Sequence, residues 1–555
     1  MTDSDPYRLK QLAEREARAK AMGGADKLAK QQSKGRLNAR QRIEKLLDPG
    51  TFDEQGLLAV SDLPEMAEKT PADGKLGGFG VIDQRTVYVS ADDVTVLAGA
   101  GGRVGVGKQL KGMQYAAQKG YPCIHLGDAG GARVPDIMGS AGMMSMVYPI
   151  KDAEPRHRRV PLITAIMGEC FGGAAWTASL SDIVIQVKGT AMCVGGPSIL
   201  EIATGEKAST EELGGWELHA KTTGLVDLFA EDDADCLRLI RHALSYLPSN
   251  ANELPPITPV RPESVEGRNK QGRIENILDL VPADPRVVYD MHRLIDAICD
   301  DGSVLELKPL YDGSLITALA RIEGRVVGLL ANNPKVMAGA MGPGACEKAV
   351  SFICLCDSFH IPLVFLHDTP GFFVGKRAEE GGMPLRIMNW IEALHQSSVP
   401  RISLIVRKSY GMAHCNMSGG NMGSDILLAW PTADVSFMAP AVAVNVVYGR
   451  KLAAEKESRH SRESGNPESL SSPQRGEGKD EGAASGEGAL SRETLIEEIT
   501  RTNAPWDAAG KNYTDKVIDP RDTRIELSRA LMRAAGADGE GGRSKRRLAN
   551  WPRMA

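Results

Sequence analysis

The amino-acid sequence predicts an α/β protein that contains two copies of one domain. The first observation is a repeat: Ala-Gly-Ala at residues 98–100 recurs at residues 338–340, and Lys108 recurs as Lys348, each pair 240 positions apart. The second is the alternation of short apolar stretches, glycine-rich turns and helical stretches in both halves, which is typical of α/β layers. Solenoid repeats are roughly 20 to 50 residues long, so this longer period indicates duplicated domains.

The predicted elements follow one order in each half. Residues 7–48 are rich in Lys, Arg, Glu, Ala and Leu and predict one or two charged helices. Residues 78–97 alternate in polarity and predict strands with a turn at Asp83-Gln84. A helical stretch is expected after Lys108 and Lys348. Next come a buried strand, a glycine-rich turn, a helix and a second buried strand; the strands are residues 124–126 and 162–166, then 363–366 and 402–406.

Polar segments divide the chain. Residues 249–275 are polar and rich in proline, which predicts a boundary between an N-terminal domain at 7–255 and a C-terminal domain at 270–535. Residues 456–491 contain almost no large apolar side chain, so we expect a disordered insertion in the second domain. Residues 536–555 are expected to form a loose tail.

Composition restricts the function classes. The net charge of −5 over 555 residues gives no basic footprint for nucleic acid. The nine cysteines include no CxxC pair, so no metal site is expected. No apolar run reaches the roughly 18 residues of a membrane span, and residues 1–10 do not resemble a signal peptide. These features predict a cytoplasmic protein.

Two turns carry the chemistry that the sequence suggests. Residues 171–175 (Phe-Gly-Gly-Ala-Ala) and 410–414 (Tyr-Gly-Met-Ala-His) each follow a buried strand and open a helix. The first N–H groups of a helix lack an intrahelical partner and lie at its positive end. Such groups can stabilise an oxyanion. Either turn alone is more readily interpreted as a plain tight turn, but two at equivalent positions favour a site.

A second pair of glycine-bearing turns, residues 128–133 and 368–373, is expected to line the opposite wall. Capping of these turns by Asp128 and Asp368 is an equally good interpretation of the two aspartates. Residues 102–109 approach a phosphate-binding loop but lack its final Ser or Thr, which argues against an NTPase. The sequence suggests no Ser-His-Asp set, and His367 is interpreted as packed or hydrogen-bonded.

Long stretches of the chain match one family. The chain resembles the carboxyltransferase (β) subunits of biotin-dependent acyl-CoA carboxylases, of the propionyl-CoA and methylcrotonyl-CoA carboxylase type. The resemblance covers about residues 7 to 535, without the insertion. The matching stretches are LNARQRIEKLLDPGTFDE (37–54), GDAGGARV (127–134), GGPSILEIATGE (195–206), EELGGWELHAKTTGLVD (211–227), PLVFLHDTPGF (362–372), AWPTADVSFM (429–438) and KVIDPRDTR (516–524).

The resemblance implies two tandem crotonase-like domains and a hexamer built as a trimer of dimers. Each active site would lie between the N-terminal domain of one subunit and the C-terminal domain of another. A carboxyl group would pass from carboxybiotin to the α carbon, or the vinylogous position, of an acyl-CoA through a thioester enolate. Two oxyanions develop, on the enolate and on the biotin ureido group, and neither a protein base nor a metal is required.

The resemblance also implies roles for individual positions. Gly172 and Gly173 would hold the enolate, and Met412 and Ala413 the biotin carbonyl. Implied positions for acyl-CoA are Gly130, Gly131, Ala132, Arg133, Phe171 and Ala174, and for biotin Gly371, Phe372, Gly411, His414 and Cys415. The chain departs from the family pattern at Met412, where many relatives have glycine, at His414-Cys415, where Tyr-Asp is common, and at Trp176, usually tyrosine.

The chain has no Met-Lys-Met biotinylation sequence and no region of ATP-grasp size. Biotin is therefore expected on a separate biotin carboxylase or carrier subunit, with a coenzyme A thioester as substrate. Two alternatives stay open at this point. One is the transferase subunit of a sodium-pumping acyl-CoA decarboxylase. The other is a non-catalytic assembly subunit, which Met412 and the insertion suggest.

Overall fold

The computed structural model describes residues 6–145, 157–259, 273–463, 491–536 and 543–551. Within them, sixteen strands form two sheets. The strands of the first half are β1 Asp53–Glu54, β2 Lys75–Ile82, β3 Arg85–Asp92, β4 Cys123–Ala129, β5 Leu162–Phe171, β6 Ile183–Val187, β7 Ala191–Cys193 and β8 Leu228–Ala230. Those of the second half are β9 Leu305–Leu307, β10 Leu315–Ile322, β11 Arg325–Asn332, β12 Leu363–Thr369, β13 Arg401–Tyr410, β14 Ile426–Ala429, β15 Asp434–Ser436 and β16 Lys516–Val517.

Helices surround both sheets. Those of the first half are α1 Pro6–Lys20, α2 Ala25–Ser33, α3 Ala39–Leu46, α4 Pro64–Ala67, α5 Arg103–Lys119, α6 Val134–Ile137, α7 Gly139–Met144, α8 Gly173–Leu180, α9 Pro197–Thr204, α10 Thr210–Gly214 and α11 Asp233–Tyr246. Those of the second half are α12 Ile277–Leu280, α13 Met291–Ile298, α14 Pro343–Ser358, α15 Lys376–Glu380, α16 Met383–Gln396, α17 Gly411–Asn416, α18 Pro440–Glu463, α19 Arg492–Asn503, α20 Pro505–Gly510 and α21 Thr523–Ala534.

The two sheets have one topology. The first has the order β1-β2-β3-β4-β5-β6-β8, with β7 on the far end of β5, and the second has β9-β10-β11-β12-β13-β14-β16, with β15 on β13. In each sheet the first three strands are antiparallel, and the pairings that follow are parallel. Strands β2, β3 and β4 begin 240 residues before β10, β11 and β12. The predicted duplicated α/β fold is confirmed.

The buried strands form where the sequence is continuously apolar. Each predicted strand segment lies inside β4, β5, β12 or β13. Every residue of β4 and β12 is buried, as expected of parallel strands covered on both faces. The predicted turn at Asp83-Gln84 joins β2 to β3, and both residues have positive φ. The helix expected after Lys108 or Lys348 begins earlier in each half, at Arg103 or Pro343, and contains the lysine.

The two halves pack against each other. The Lys308 N–H donates to the Asp227 carbonyl at 2.7 Å, and the Tyr246 hydroxyl donates to the Ser303 carbonyl at 2.6 Å. One hydrophobic core contains buried residues of both halves, among them Leu239 and Leu305. No helix in the described ranges is both long enough and apolar enough to cross a membrane.

The end of the chain differs from the loose tail that the sequence predicts. Leu548 is fully buried, and Arg158 of the first half donates to the carbonyls of Leu548, Ala549 and Trp551. The Ser544 N–H donates to a ring nitrogen of His360 in the second half at 3.0 Å. Residues 543–551 are therefore docked on both halves, because one apolar anchor and several backbone hydrogen bonds offset the cost of ordering them.

The predicted insertion at 456–491 is described only in part. Helix α18 continues to Glu463, so its backbone is helical over residues 456–463. Residues 464–490 lie outside the described part of the chain.

We expect Leu548→Ala to release the docked segment. Removing a buried leucine costs about 2–5 kcal/mol because it deletes apolar contacts and leaves a cavity. Amide hydrogen exchange of residues 543–551 should then be faster by at least about 20-fold. The control is Arg547→Ala at an exposed neighbouring position. Equal exchange rates in both variants would contradict the docked arrangement.

Candidate active site

The first turn places two backbone N–H groups at the start of a helix. Gly172 precedes α8 with φ +60°, a conformation that favours glycine. Its own N–H donates to the Cys193 carbonyl at 3.1 Å. Gly172 therefore shapes the turn and is not a free donor, which corrects the catalytic role expected for it. The next N–H groups, of Gly173 and Ala174, belong to the first turn of α8 and have no intrahelical partner.

The second turn repeats this geometry. Gly411 has φ +56°, and Met412 and Ala413 follow it in the first turn of α17. Because β5 ends at Phe171 and β13 ends at Tyr410, Gly411 corresponds to Gly172. Met412 and Ala413 thus correspond to Gly173 and Ala174. Met412 is 42% exposed and Ala413 is buried.

A cavity of about 360 Å³ lies beside the first turn. Gly173 and Ala174 line it together with Gly131 and Ala132 of the turn after β4, so the structure brings these two predicted walls together. Apolar side chains form much of the remaining wall: Val106, Leu110, Met113, Ile137, Met143 and Leu180.

Three residues expected to bind acyl-CoA lie away from this cavity wall. Gly130, Arg133 and Phe171 are not among the described residues that line the cavity. The Arg133 guanidinium is buried and forms ion pairs with Asp73 and Asp136. Its charge is therefore compensated inside the protein, which corrects the expectation that it faces the ligand.

The turn after β12 matches the turn after β4. Gly131 and Gly371 both have positive φ, at 108° and 126°. Ala132 forms an isolated parallel bridge with Gly101, and Phe372 forms the same bridge with Met341. Gly371 and Phe372, both expected near biotin, thus occupy in the second half the place that Gly131 and Ala132 hold in the first.

Buried arginines hold the aspartates of these turns. The Asp128 carboxylate lies 2.9 Å from Nη1 of Arg42, and that of Asp368 lies 2.8 Å from Nε of Arg407. All four side chains are at most 3% exposed. Since removing one partner of a buried ion pair leaves an uncompensated charge, these pairs fix the strand ends that carry the turns.

His414 and Cys415, both expected at the biotin site, have partners within the protein. The Ser409 hydroxyl lies 2.9 Å from Nδ1 of His414 and 2.9 Å from Nδ1 of His367. Burial lowers the pKa of His414 to about 4, and it lowers that of His367 well below its ordinary value. Both rings are neutral near pH 7. The Cys415 sulfur accepts a hydrogen bond from Asn421 at 3.2 Å.

Besides Arg103 and Thr177, five polar side chains at the cavity wall were not predicted from the sequence. They are Lys75, Ser90, Asp92, Gln109 and His125. They come from β2, β3, β4 and α5, and pairing of the strands brings them together. A position-by-position comparison of the two halves could have found them, since their counterparts are less polar. No group of three or more His, Cys, Asp or Glu in the described ranges is placed to hold a metal ion.

Comparison with known proteins agrees with this architecture. The family model of the carboxyl transferase domain matches residues 30–546. The chain belongs to this family. The resemblance to carboxyltransferase subunits, predicted from the sequence, is thereby confirmed. The two domains are those of a carboxyl transferase.

Relatives match this carboxyl transferase over nearly its full length. The carboxyltransferase subunit of propionyl-CoA carboxylase from Haloferax mediterranei is 34% identical, with 94% of each chain covered. The alpha subunit of methylmalonyl-CoA decarboxylase from Veillonella parvula is 32% identical, with 95% of this chain and 96% of the relative covered. The crystal structure of the transcarboxylase 12S hexamer, with methylmalonyl-coenzyme A bound, superposes with a TM-score of 0.82 at 33% identity, covering 96% of each chain.

We expect His414 to make the protein sensitive to acid. Its pKa is about 4 in the folded chain and about 6.5 when unfolded, so the unfolded state binds more protons between these values. Stability is thus full above about pH 6.5 and falls by up to about 3 kcal/mol as the pH drops to about 4. His414→Gln should flatten the pH dependence of the thermal unfolding midpoint. The control His395→Gln, at an exposed position on α16, should leave this pH dependence unchanged. If the unfolding midpoints of both variants change equally with pH, His414 is not the source of the acid sensitivity.

Proposed function

We propose that this chain is the carboxyltransferase subunit of a biotin-dependent acyl-CoA carboxylase. The observation that carries the proposal is the pair of equivalent turns, each presenting two consecutive N–H groups of a helix start. A transfer between carboxybiotin and an acyl-CoA thioester develops negative charge on two oxygens. Two preorganised donor pairs match that need.

The first pair is assigned to the thioester. The N–H groups of Gly173 and Ala174 would hold the carbonyl oxygen as it becomes an enolate oxygen, and the cavity would take the acyl chain. The apolar part of its wall would exclude water from the donors, which would strengthen these hydrogen bonds and protect the enolate from protonation by solvent. Gly131 and Ala132 would form the facing wall.

The second pair is assigned to the biotin ureido oxygen. When bound, carboxybiotin would supply the carboxyl group and, once that group has left, a basic ureido nitrogen as acceptor for the α-proton. The N–H groups of Met412 and Ala413 would bind the ureido oxygen. A largely apolar ring would suit this turn, because Met412 in the turn and Phe437 next to Gly411 are both exposed. A backbone N–H donor tolerates a side chain on its own residue, so Met412 is compatible with an active subunit as well as with a purely assembling one.

Apolar surfaces beside the turns support a shared site between subunits. Val194 follows β7 next to Gly172 and is 78% exposed, and Phe437 follows β15 next to Gly411 and is 79% exposed. Ile202 on α9 and Val446 on α18, the next helices along the chain after Val194 and Phe437, are also exposed. Packing the first surface of one copy on the second surface of another would bury both and bring the two donor pairs to one cavity. A hexamer built as a trimer of dimers is the proposed assembly, with biotin on a separate subunit.

A second candidate is the same transfer run toward decarboxylation. It is supported by the methylmalonyl-CoA decarboxylase alpha subunit, whose identity to this chain is close to that of the propionyl-CoA carboxylase subunit. The two candidates share the donor pairs. They differ in partner: a biotin carboxylase subunit restores ATP-dependent carboxylation, whereas a decarboxylase complex releases CO₂ from a carboxylated acyl-CoA without ATP.

We expect Gly173→Pro to abolish most of the activity of the reconstituted complex. Proline removes one N–H donor, and it is well tolerated at the first position of a helix. The loss of one oxyanion donor should lower kcat about 100- to 1,000-fold. The assay supplies biotin carboxylase and carrier subunits, ATP, bicarbonate and an acyl-CoA panel.

The matched control is Gly173→Ala, which keeps the N–H group. The equivalent Met412 shows that this position of the turn accepts a side chain. The same comparison applies to Met412→Pro against Met412→Ala. If the proline variants keep the activity of their alanine controls, the backbone donors have no catalytic role.

We expect Phe437→Glu and Val194→Glu each to weaken self-association, because a carboxylate would have to be buried in an apolar interface. Light scattering after size-exclusion chromatography should show a hexamer for the unaltered chain and smaller species for the variants. Leu278→Glu, also at an exposed apolar position but away from both turns in sequence, is the control. Hexamers in both glutamate variants would contradict the proposed interface.

A further inference from the structure

A charged and polar cluster occupies one wall of the acyl cavity. The Lys75 ammonium lies 2.6 Å from the Asp92 carboxylate and 2.7 Å from the Gly99 carbonyl. The His125 ring lies between the same carboxylate, at 3.5 Å, and the Ser90 hydroxyl, at 3.0 Å. Each of these side chains is buried, yet all of them line the cavity.

The second half shows how little of this cluster the fold requires. Lys75 pairs with Asp92 across β2 and β3, and the equivalent pair in β10 and β11 is Leu315 with Asn332. Asp92 accepts a hydrogen bond from the Asp128 N–H, and Asn332 accepts the same bond from Asp368. A neutral amide therefore suffices to hold the turn.

The other members are polar in the first half alone. Ser90 pairs with His125 across β3 and β4, whereas the equivalent residues of β11 and β12 are Leu330 and Phe365. Gln109 on α5, whose amide donates to Asp92 at 3.3 Å, corresponds to Ala349 on α14. Apolar residues fill these places in a sheet of the same topology. Hydrogen bonds within the cluster offset the cost of burying these groups. Because the second half folds without such groups, we interpret their place at the cavity wall as serving a ligand.

The chemistry of the cluster restricts that ligand. The Lys75 charge is already balanced by Asp92, so the cluster offers no unpaired positive charge for a carboxylate. Ser90, His125 and Gln109 can both donate and accept hydrogen bonds. A neutral oxygen, as in a hydroxyl or keto group, matches this set. The cavity of about 360 Å³ has room for an acyl chain that extends well past the thioester.

We propose that the acyl-CoA substrate carries a hydroxyl or keto oxygen on its acyl chain, and that Ser90, His125 and Gln109 bind this oxygen while Lys75 and Asp92 hold the cluster in place. The inference rests on the proposed function, since it names the substrate class of that cavity. Ser90, His125 and Gln109 are specificity residues in this scheme, and Lys75 and Asp92 are positioning residues.

Calorimetric binding of three matched acyl-CoAs tests the inference without carboxylase partners. The three have equal chain length and carry a hydroxyl, a carboxylate or no substituent. The full chain should bind the hydroxyl compound at least 10-fold more tightly than either of the others. Equal affinities, or a preference for the unsubstituted or carboxylate compound, would overturn the inference. Failure to bind any acyl-CoA would instead count against the proposed function.

Variants that install the residues of the second half sharpen the test. Ser90→Leu with His125→Phe, and separately Lys75→Leu with Asp92→Asn, should reduce the hydroxyl preference about 10-fold or more. If the double variants do not fold, the smaller changes Ser90→Ala and Gln109→Ala replace them in the binding test. A purely structural cluster predicts equal losses for all three compounds, so an unchanged preference ratio in folded variants would also overturn the inference.

Discussion

The structure depends on one constraint of helix geometry: the first N–H groups of a helix have no acceptor inside that helix. In each half, a long parallel strand is followed by a glycine with positive φ, after which the chain passes directly into a helix. The strand is fixed by buried neighbours on both sides, so the direction of the N–H groups is fixed as well. Preorganised donors need no rearrangement when charge develops on a substrate oxygen, which is why such a turn can be catalytic without any titratable side chain.

Buried ion pairs secure the wall that faces each turn, but the two halves use different residues for this purpose. In the first half Arg42 reaches Asp128 from helix α3, and in the second Arg407 reaches Asp368 from strand β13. The duplication has thus preserved the acid at the strand end while its basic partner has moved to another element. What both halves keep is the position of the turn, as the proposed role of its main-chain N–H groups requires.

Much of the fold could be predicted because the buried strands are continuously apolar and recur at a fixed interval. The start of helix α5 could not be predicted in this way, because its three glycines suggested a loop. The structure gives the physical reason: a side chain at Gly105 would lie 2.7 Å from the Asp73 carbonyl oxygen, so glycine there permits close packing of a helix. The docked tail was missed for a similar reason. Its hydrogen bonds use backbone carbonyls, which composition does not reveal.

The sequence predicted the two turns of the candidate site, but not which residues of the first turn have N–H groups without a partner. The sequence indicated both turns, yet the hydrogen bond from Gly172 to Cys193 depends on the pairing of β5 with β7, and it moves the donors one residue along. The polar cluster was not predicted because its members are separated by up to 50 residues, and strand register alone makes neighbours of Lys75 with Asp92 and of Ser90 with His125. Burial of His414 could not be inferred from its place in the motif either.

The turns that carry Gly173 and Met412 have an evolutionary consequence. Almost any genetic replacement leaves a peptide N–H in place, so under the proposed mechanism selection can alter the side chains around these turns without removing the donors. The methionine in one copy and the glycine in the other are an instance of this freedom within a single gene. A scaffold of this kind can diversify toward new metabolites by changing its pocket while its main chain keeps the chemistry intact.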